Sequence, residues 1–244
     1  MARQWHAKPM GSYARGSTEG DDNACMICSK LMLDFGWTLE ACAGLLGNIA
    51  GEGGLNPWQF EIGFTNELGR LPTEAEANAT SRFGMGLIGW TPCRKWTDPT
   101  NVYWPWDLST FSGYGPNFYD KAGNVRDGAA QTELIGRCMV GNGNGNFWVR
   151  GRSDIFGNVH NMRAEDYIAL TDVNTAAVEF LWCAEYPDSI IPPADPTNTE
   201  TRRKNSANAW YQHLIDIGFT PSPENLFPIW LMAKIAELFQ NRYI

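Results

Sequence analysis

Glu52 stands in the stretch "NIAGEGGLNPWQF", residues 48–60, with glycines at 51, 53 and 54 and an Asn-Pro pair at 56 and 57. Small residues around one carboxyl leave room for a ligand, and Gly53 or Gly54 suits the left-handed cap that ends a helix. No basic residue lies within nine positions of it in sequence. Burial, a helix C-terminus and the lack of a nearby cation would together favour the protonated carboxyl, which is the form a general acid needs. The local pattern fits equally a hydrated glutamate that simply ends a helix.

Many glycosidases use a second carboxylate. Glu61, nine residues on, is the nearest candidate, ahead of Glu67 and Asp98. Sugar rings stack on aromatic faces, and Trp58 and Trp90 lie close in sequence to the proposed cleft; with Gln59 they are the expected substrate contacts.

Metal and thiol chemistry are poorly supported. Cys25 and Cys28 form a CxxC, but no second pair or nearby histidine completes a zinc set, so the six cysteines read as small buried hydrophobes. His6, His160 and His213 occur in no HxH or HExxH pattern and read as surface or helix residues. No metal site and no cofactor is expected.

These residues must be held by helices. After "EGDDN", with Asp and Asn as caps, Ala24, Ile27, Cys28, Leu31 and Phe35 recur at helical spacing and Gly36 closes the segment. Thr38 caps a second helix with Glu40 in its first turn. Its stripe of Leu39, Cys42, Leu45, Leu46 and Ile49 continues at helical spacing onto Glu52, which places the acid on the buried side.

Residues 66–82 are polar, and "RFGMGLIGWTP" reads as a short strand or hairpin. Residues 99–119 and 141–160, rich in Gly, Asn and aromatics without a period, read as two long surface loops. Three further helices are predicted near 127–140, 174–186 and 200–217, the last two separated by the rigid linker "IPPADPTN". The fold class is α+β, predominantly α-helical, with a small β-hairpin region lining the cleft. The organisation is a polar N-terminal arm over 1–23, a main domain over 24–220, and an apolar C-terminal helix over 221–244 as a possible docking segment.

With 244 residues, 43% of them hydrophobic, the chain can bury a sizeable core. A formal charge of -8 excludes an electrostatic search for nucleic acid or an anionic membrane. A chain of this charge that acts on an anionic cell surface must be delivered there by something else. No run approaches the roughly 18 apolar residues that would span a bilayer. The N-terminus lacks an apolar h-region and a small-residue cleavage site, so synthesis in a cytoplasm is expected.

"GWTLEACAGLLGNIAGEGGLNPWQF" followed by "FGMGLIGWTP" resembles the bacteriophage tail lysozyme family, virion-associated peptidoglycan hydrolases with a lysozyme-like domain. The likeness continues through "DYIALTDVNTAAVEFLWCAEYPD", similar to the family's late helix ending in a Glu-Arg-Pro-like segment, and "AWYQHL", similar to its closing helix. It covers about residues 24–215, with the two Gly-rich loops as insertions.

The resemblance implies a lysozyme-like fold and a glycoside hydrolase cutting the glycan strands of peptidoglycan to open the host wall for DNA entry. Glu52 falls on the family's catalytic glutamate; Asn48, Asn56 and Pro57 match motif positions of structural use. Other tail proteins are the implied partners and the virion tail the implied location. Two residues depart from the pattern, Gly53 for Ser and Gly89 for the Gln before the tryptophan, and the loss of an amide from the cleft would weaken substrate orientation. A lytic transglycosylase and a non-catalytic structural or glycan-binding tail component are the alternatives.

Overall fold

The computed structural model describes residues 3–8, 11–52, 54–91, 93, 126–140, 147–154, 156–186 and 196–222. Helices dominate: α1 Thr18–Phe35, α2 Leu39–Gly51, α3 Ile62–Leu68, α4 Glu74–Ala79, α5 Arg126–Met139, α6 Ala164–Ile168, α7 Val173–Phe180 and α8 Pro196–Asp216. Between α5 and α6 the two-residue strands β1 Arg152–Ser153 and β2 Val159–His160 pair antiparallel. The predominantly helical α+β class is as expected.

α2 is the central element. Every residue from Ala41 to Ile49 is buried, so the predicted stripe is in fact a helix enclosed on all sides. Small residues make that possible: a Cβ at Gly44 would stand 2.5 Å from Ala176 Cβ in α7, and one at Gly47 2.7 Å from Ala207 in α8. The two helices pack backbone-close against α2, and Asn48 ties one of them by donating from Nδ2 to Ala177 O at 2.9 Å. α1 and α5 close the other side through Ile27, Leu31, Leu134 and Ile135.

The helix boundaries are set by caps. Thr38 Oγ1 accepts from Ala41 N–H at 3.1 Å and starts α2 as predicted. α1 begins earlier than expected, at Thr18, because Ser17 caps it by accepting from Gly20 N–H; Asp21, Asp22 and Asn23 lie inside the helix. Gly36, at φ 71°, ends it.

Several expectations are corrected. Part of the 1–23 segment belongs to α1, and the preceding residues lie on the domain: Trp5 packs against the core, and Asn23 exchanges hydrogen bonds with the His6 backbone. The polar stretch 66–82 contains the end of α3 and all of α4, the latter started by a reciprocal Thr73–Glu76 capping box. Residues 147–160 are not simply surface loop, since Phe147 and Trp148 are buried and β1 and β2 follow them. His160, read as a surface or helix residue, is a buried strand residue stacked on Trp182.

The six cysteines are free and buried, as their reading as small hydrophobes requires. No helix among the described residues is long and apolar enough to cross a membrane. The segments expected to form a loop over 99–119, a linker up to residue 195 and a C-terminal helix from residue 223 lie outside the described residues.

Candidate active site

Glu52 is the residue at which α2 stops. Its backbone leaves the helix at φ -92° and ψ 3°, while its N–H still reaches back to Asn48 O and Ile49 O at 3.2 and 3.1 Å. Gly54, at φ +90°, then donates to Ile49 O at 3.1 Å and turns the chain away. Gly53 lies outside the described residues. The Glu52 side chain is 28% exposed, so it sits at the edge of the core and faces solvent in part.

The expectation that no cation stands near Glu52 is overturned. Arg203, from the middle of α8, donates from Nη2 to Glu52 Oε1. The same Nη2 lies 3.2 Å from Glu185 Oε2, and Nη1 donates to Asn48 O at 3.1 Å. One guanidinium therefore holds an acid, a second acid and a backbone carbonyl near the C-terminus of α2. Positive charge at that end of the helix offsets its negative potential, which answers how an acid can end α2.

The glycine beside Glu52 serves this contact. A Cβ at Gly51 would fall 0.8 Å from Arg203 Nη1, so its missing side chain makes way for Arg203. Gly89, in the hairpin, approaches the other oxygen: a Cβ there would stand 3.2 Å from Glu52 Oε2. The two carboxylate oxygens thus meet different surroundings, a cation at Oε1 and a bare backbone at Oε2.

Glu185 is the buried acid of the site. It ends a π-helical turn, Leu181–Glu185, that continues α7, and its side chain is 3% exposed. Burial pushes its carboxyl up to about 8, against the pull of Arg203 and with the Glu52 charge adding to the rise. The residue after it, Tyr186, has φ 48°, and it is the non-glycine with positive φ among the described residues.

The wall opposite α2 is a glycine-rich hairpin. Met85 and Trp90 exchange backbone hydrogen bonds at 3.3 and 2.7 Å, and Phe60 pairs with Met85 on the other side. Gln131 of α5, fully buried, fixes this wall by accepting from Leu87 N–H and donating to Pro57 O, both at 2.8 Å. Asn56, also fully buried, accepts from Trp58 N–H at 3.2 Å and donates to Lys8 O and Gly11 O, tying the N-terminal residues to the turn after Glu52. The structural use expected for Asn48 and Asn56 is seen in these side-chain hydrogen bonds.

The remaining predicted residues fare differently. Glu61 is exposed and starts α3; its Oε2 accepts from Gly84 N–H at 3.0 Å and its own N–H donates to Gly84 O. Among the described residues Glu52 takes its hydrogen bonds from Arg203, and Glu61 is joined to the hairpin instead. Trp58 and Trp90 are core residues, 4% and 8% exposed, and Trp90 packs on Phe147 with ring centroids 5.6 Å apart. Their large apolar faces fill the space between hairpin and helices, so neither presents the open stacking face expected of it. Gln59 is half-buried, its amide nitrogen 3.4 Å from Phe60 O.

Arg203 and Glu185 were missed as site residues. Arg203 did leave a signal: Thr199, Arg203, Ala207, Trp210 and Leu214 recur at helical spacing and are all buried, so an arginine stands on an apolar stripe. Glu185 lies in the segment "LWCAEYPD" that the family likeness had singled out. Among the described residues no group of three His, Cys, Asp or Glu side chains forms a metal site.

What the arrangement can do is proton transfer at one half-exposed carboxyl whose orientation is fixed by a buried cation. Comparison with curated protein sequences gives no significant match. The family model of the phage tail lysozymes matches residues 22–214, a span that runs from α1 to the end of α8 and takes in Glu52, the hairpin, Glu185 and Arg203, and the chain belongs to that family.

Proposed function

We propose that this protein is a tail-borne muralidase that hydrolyses the glycan strands of peptidoglycan, with Glu52 as the general acid. The observation that supports this most is the two-sided environment of the Glu52 carboxyl. Arg203 occupies Oε1, which leaves Oε2 as the oxygen turned toward a substrate. Oε2 faces Gly89, where no side chain stands between it and an approaching glycosidic oxygen.

The chemistry follows directly. Oε2–H gives its proton to the oxygen joining two sugars as the bond from that oxygen to C1 breaks. Water adds to the oxocarbenium-like C1, and the proton it releases restores Glu52. Gln59, half-buried beside the hairpin, is the proposed polar contact from this wall.

Delivery by a phage tail fits the charge. A chain of net charge -8 gains nothing from an anionic wall at long range, so a particle that brings it to the surface supplies the encounter. Other tail proteins are its proposed partners and the virion tail its proposed location.

A turbidity assay on purified peptidoglycan tests the assignment. Glu52→Gln should lose about 10²- to 10⁴-fold in rate with its fold intact. Equal activity in both proteins would end the proposal.

A second reading is favoured by Glu61. Its carboxylate is joined to Gly84 N–H, which suits a one-acid reaction in which the muramyl 6-hydroxyl attacks C1 and leaves a 1,6-anhydro end. Product analysis separates a lytic transglycosylase from a hydrolase by whether water is incorporated.

A further inference from the structure

We propose that Glu185 positions the general acid through Arg203: its buried carboxyl holds the guanidinium against the end of α2, and the guanidinium holds Glu52. This rests on Glu52 being the acid.

Three independent features of the geometry carry it. Arg203 Nη2 is shared by the two acids, with Glu185 Oε2 at 3.2 Å and Glu52 Oε1 as the other partner. Space for the guanidinium exists because residue 51 has no side chain. A π-helical turn leads to Glu185, and Tyr186 after it sits at φ 48°, a left-handed conformation that costs a non-glycine residue roughly 1–3 kcal/mol.

Stability alone does not account for this acid. Asn48 O and Glu52 already accept from Nη1 and Nη2 of the guanidinium. Glu185 Oε1 is buried with no hydrogen-bond partner among the described residues, and a buried polar atom left so is a cost. Its placement makes sense through what it does to the cation. With Glu185 neutral, the charge of Arg203 acts wholly on Glu52; with Glu185 ionised, two carboxylates divide one cation.

Among the described residues, three groups face Glu185. Arg203 comes from α8, Glu52 from the end of α2, and the Tyr167 hydroxyl, which donates to Ala41 O, from α6. Loss of the Glu185 proton near pH 8 should therefore appear in the alkaline limb of the activity profile.

The test compares full-length wild type, Glu185→Leu, Glu185→Gln and Glu52→Gln on purified peptidoglycan, with kcat and KM taken across the pH range and folding checked by circular dichroism. Glu185→Leu removes the acceptor without leaving an unpaired oxygen. It should lower kcat roughly tenfold to a hundredfold with KM little changed, the signature of a misplaced acid. Glu185→Gln keeps an acceptor for Arg203 and cannot titrate, so it should recover most of that loss and lack the wild-type inflection near pH 8.

Leu and Gln variants that behave alike, whether both active or both impaired, overturn the proposal. So does a Glu185→Gln profile that keeps the wild-type inflection, a result that decides the matter even if the Leu variant fails to fold. An inactive Glu52→Gln alongside either outcome rejects the positioning role alone, whereas a fully active Glu52→Gln rejects the general acid and with it this proposal.

Discussion

Gly51 makes room for Arg203: any side chain at residue 51 would occupy the place of the guanidinium, with the Cβ 0.8 Å from Nη1. Gly51 is exposed and lies in the last turn of α2, where alanine would ordinarily add about 0.5–1 kcal/mol of stability. Here the sign should reverse. Gly51→Ala displaces Arg203 and strips Glu185 of its cation, at a cost of roughly 1–3 kcal/mol, and activity falls with it. A thermal melt and a wall-lysis assay on the same preparation check this. A stabilised, active Gly51→Ala protein would mean that Arg203 does not rest where the structure has it.

Gly89 presents the second steric test. The family pattern has glutamine before this tryptophan, but the residue here sits at φ +58° with its Cβ direction 3.2 Å from Glu52 Oε2. A left-handed conformation costs a side-chain-bearing residue about 1–2 kcal/mol. Gly89→Gln should therefore lose that much stability and also slow lysis by crowding the proton-bearing oxygen. Denaturant melts give the first quantity and turbidity the second; gains in both would show that the hairpin tolerates the family residue in another shape.

Stability should depend on pH through Glu185. Its carboxyl is raised from the ordinary glutamate value of 4.5 to about 8 in the folded protein, so between those values the folded state binds more protons than the unfolded state. Stability from this group is then full below about pH 4.5 and is lost as pH rises through about 8. Glu185→Gln removes the titration, and its melting temperature should fall less than that of wild type over this window. Parallel slopes for the two proteins would contradict the assignment.

Attachment to the particle can be separated from lysis. The residues before α1 are tied to the domain through Asn23 and Asn56, which leaves the apolar C-terminal segment as the proposed docking element. Deleting residues 223–244 should abolish incorporation into particles and spare lysis by the purified protein. Truncated protein found in purified particles would remove the docking role from that segment.

Sequence by itself determined what depends on near neighbours along the chain. The longer helices showed through their 3.6-residue period, Thr38 and Gly36 through their cap chemistry, and the place of Glu52 at the end of α2 through the glycines that follow it. Six buried cysteines followed from composition and the lack of a metal-ligand pattern. The hairpin showed through its glycines, and Trp58 and Trp90 were found but given the wrong surroundings, because sequence does not say which aromatic faces are covered.

Tertiary structure decided the charge around the acid. Arg203 is 151 residues from Glu52 and 18 from Glu185, beyond the reach of any local pattern, and it turns an isolated carboxyl into one member of a three-group cluster. Reading Glu52 from its neighbours alone gave it burial and no cation; packing α7 and α8 against α2 gave the deeper burial to Glu185 and the cation to both. Electrostatic energy depends on distance through space and on exposure, and both are fixed only when helices remote in sequence come together.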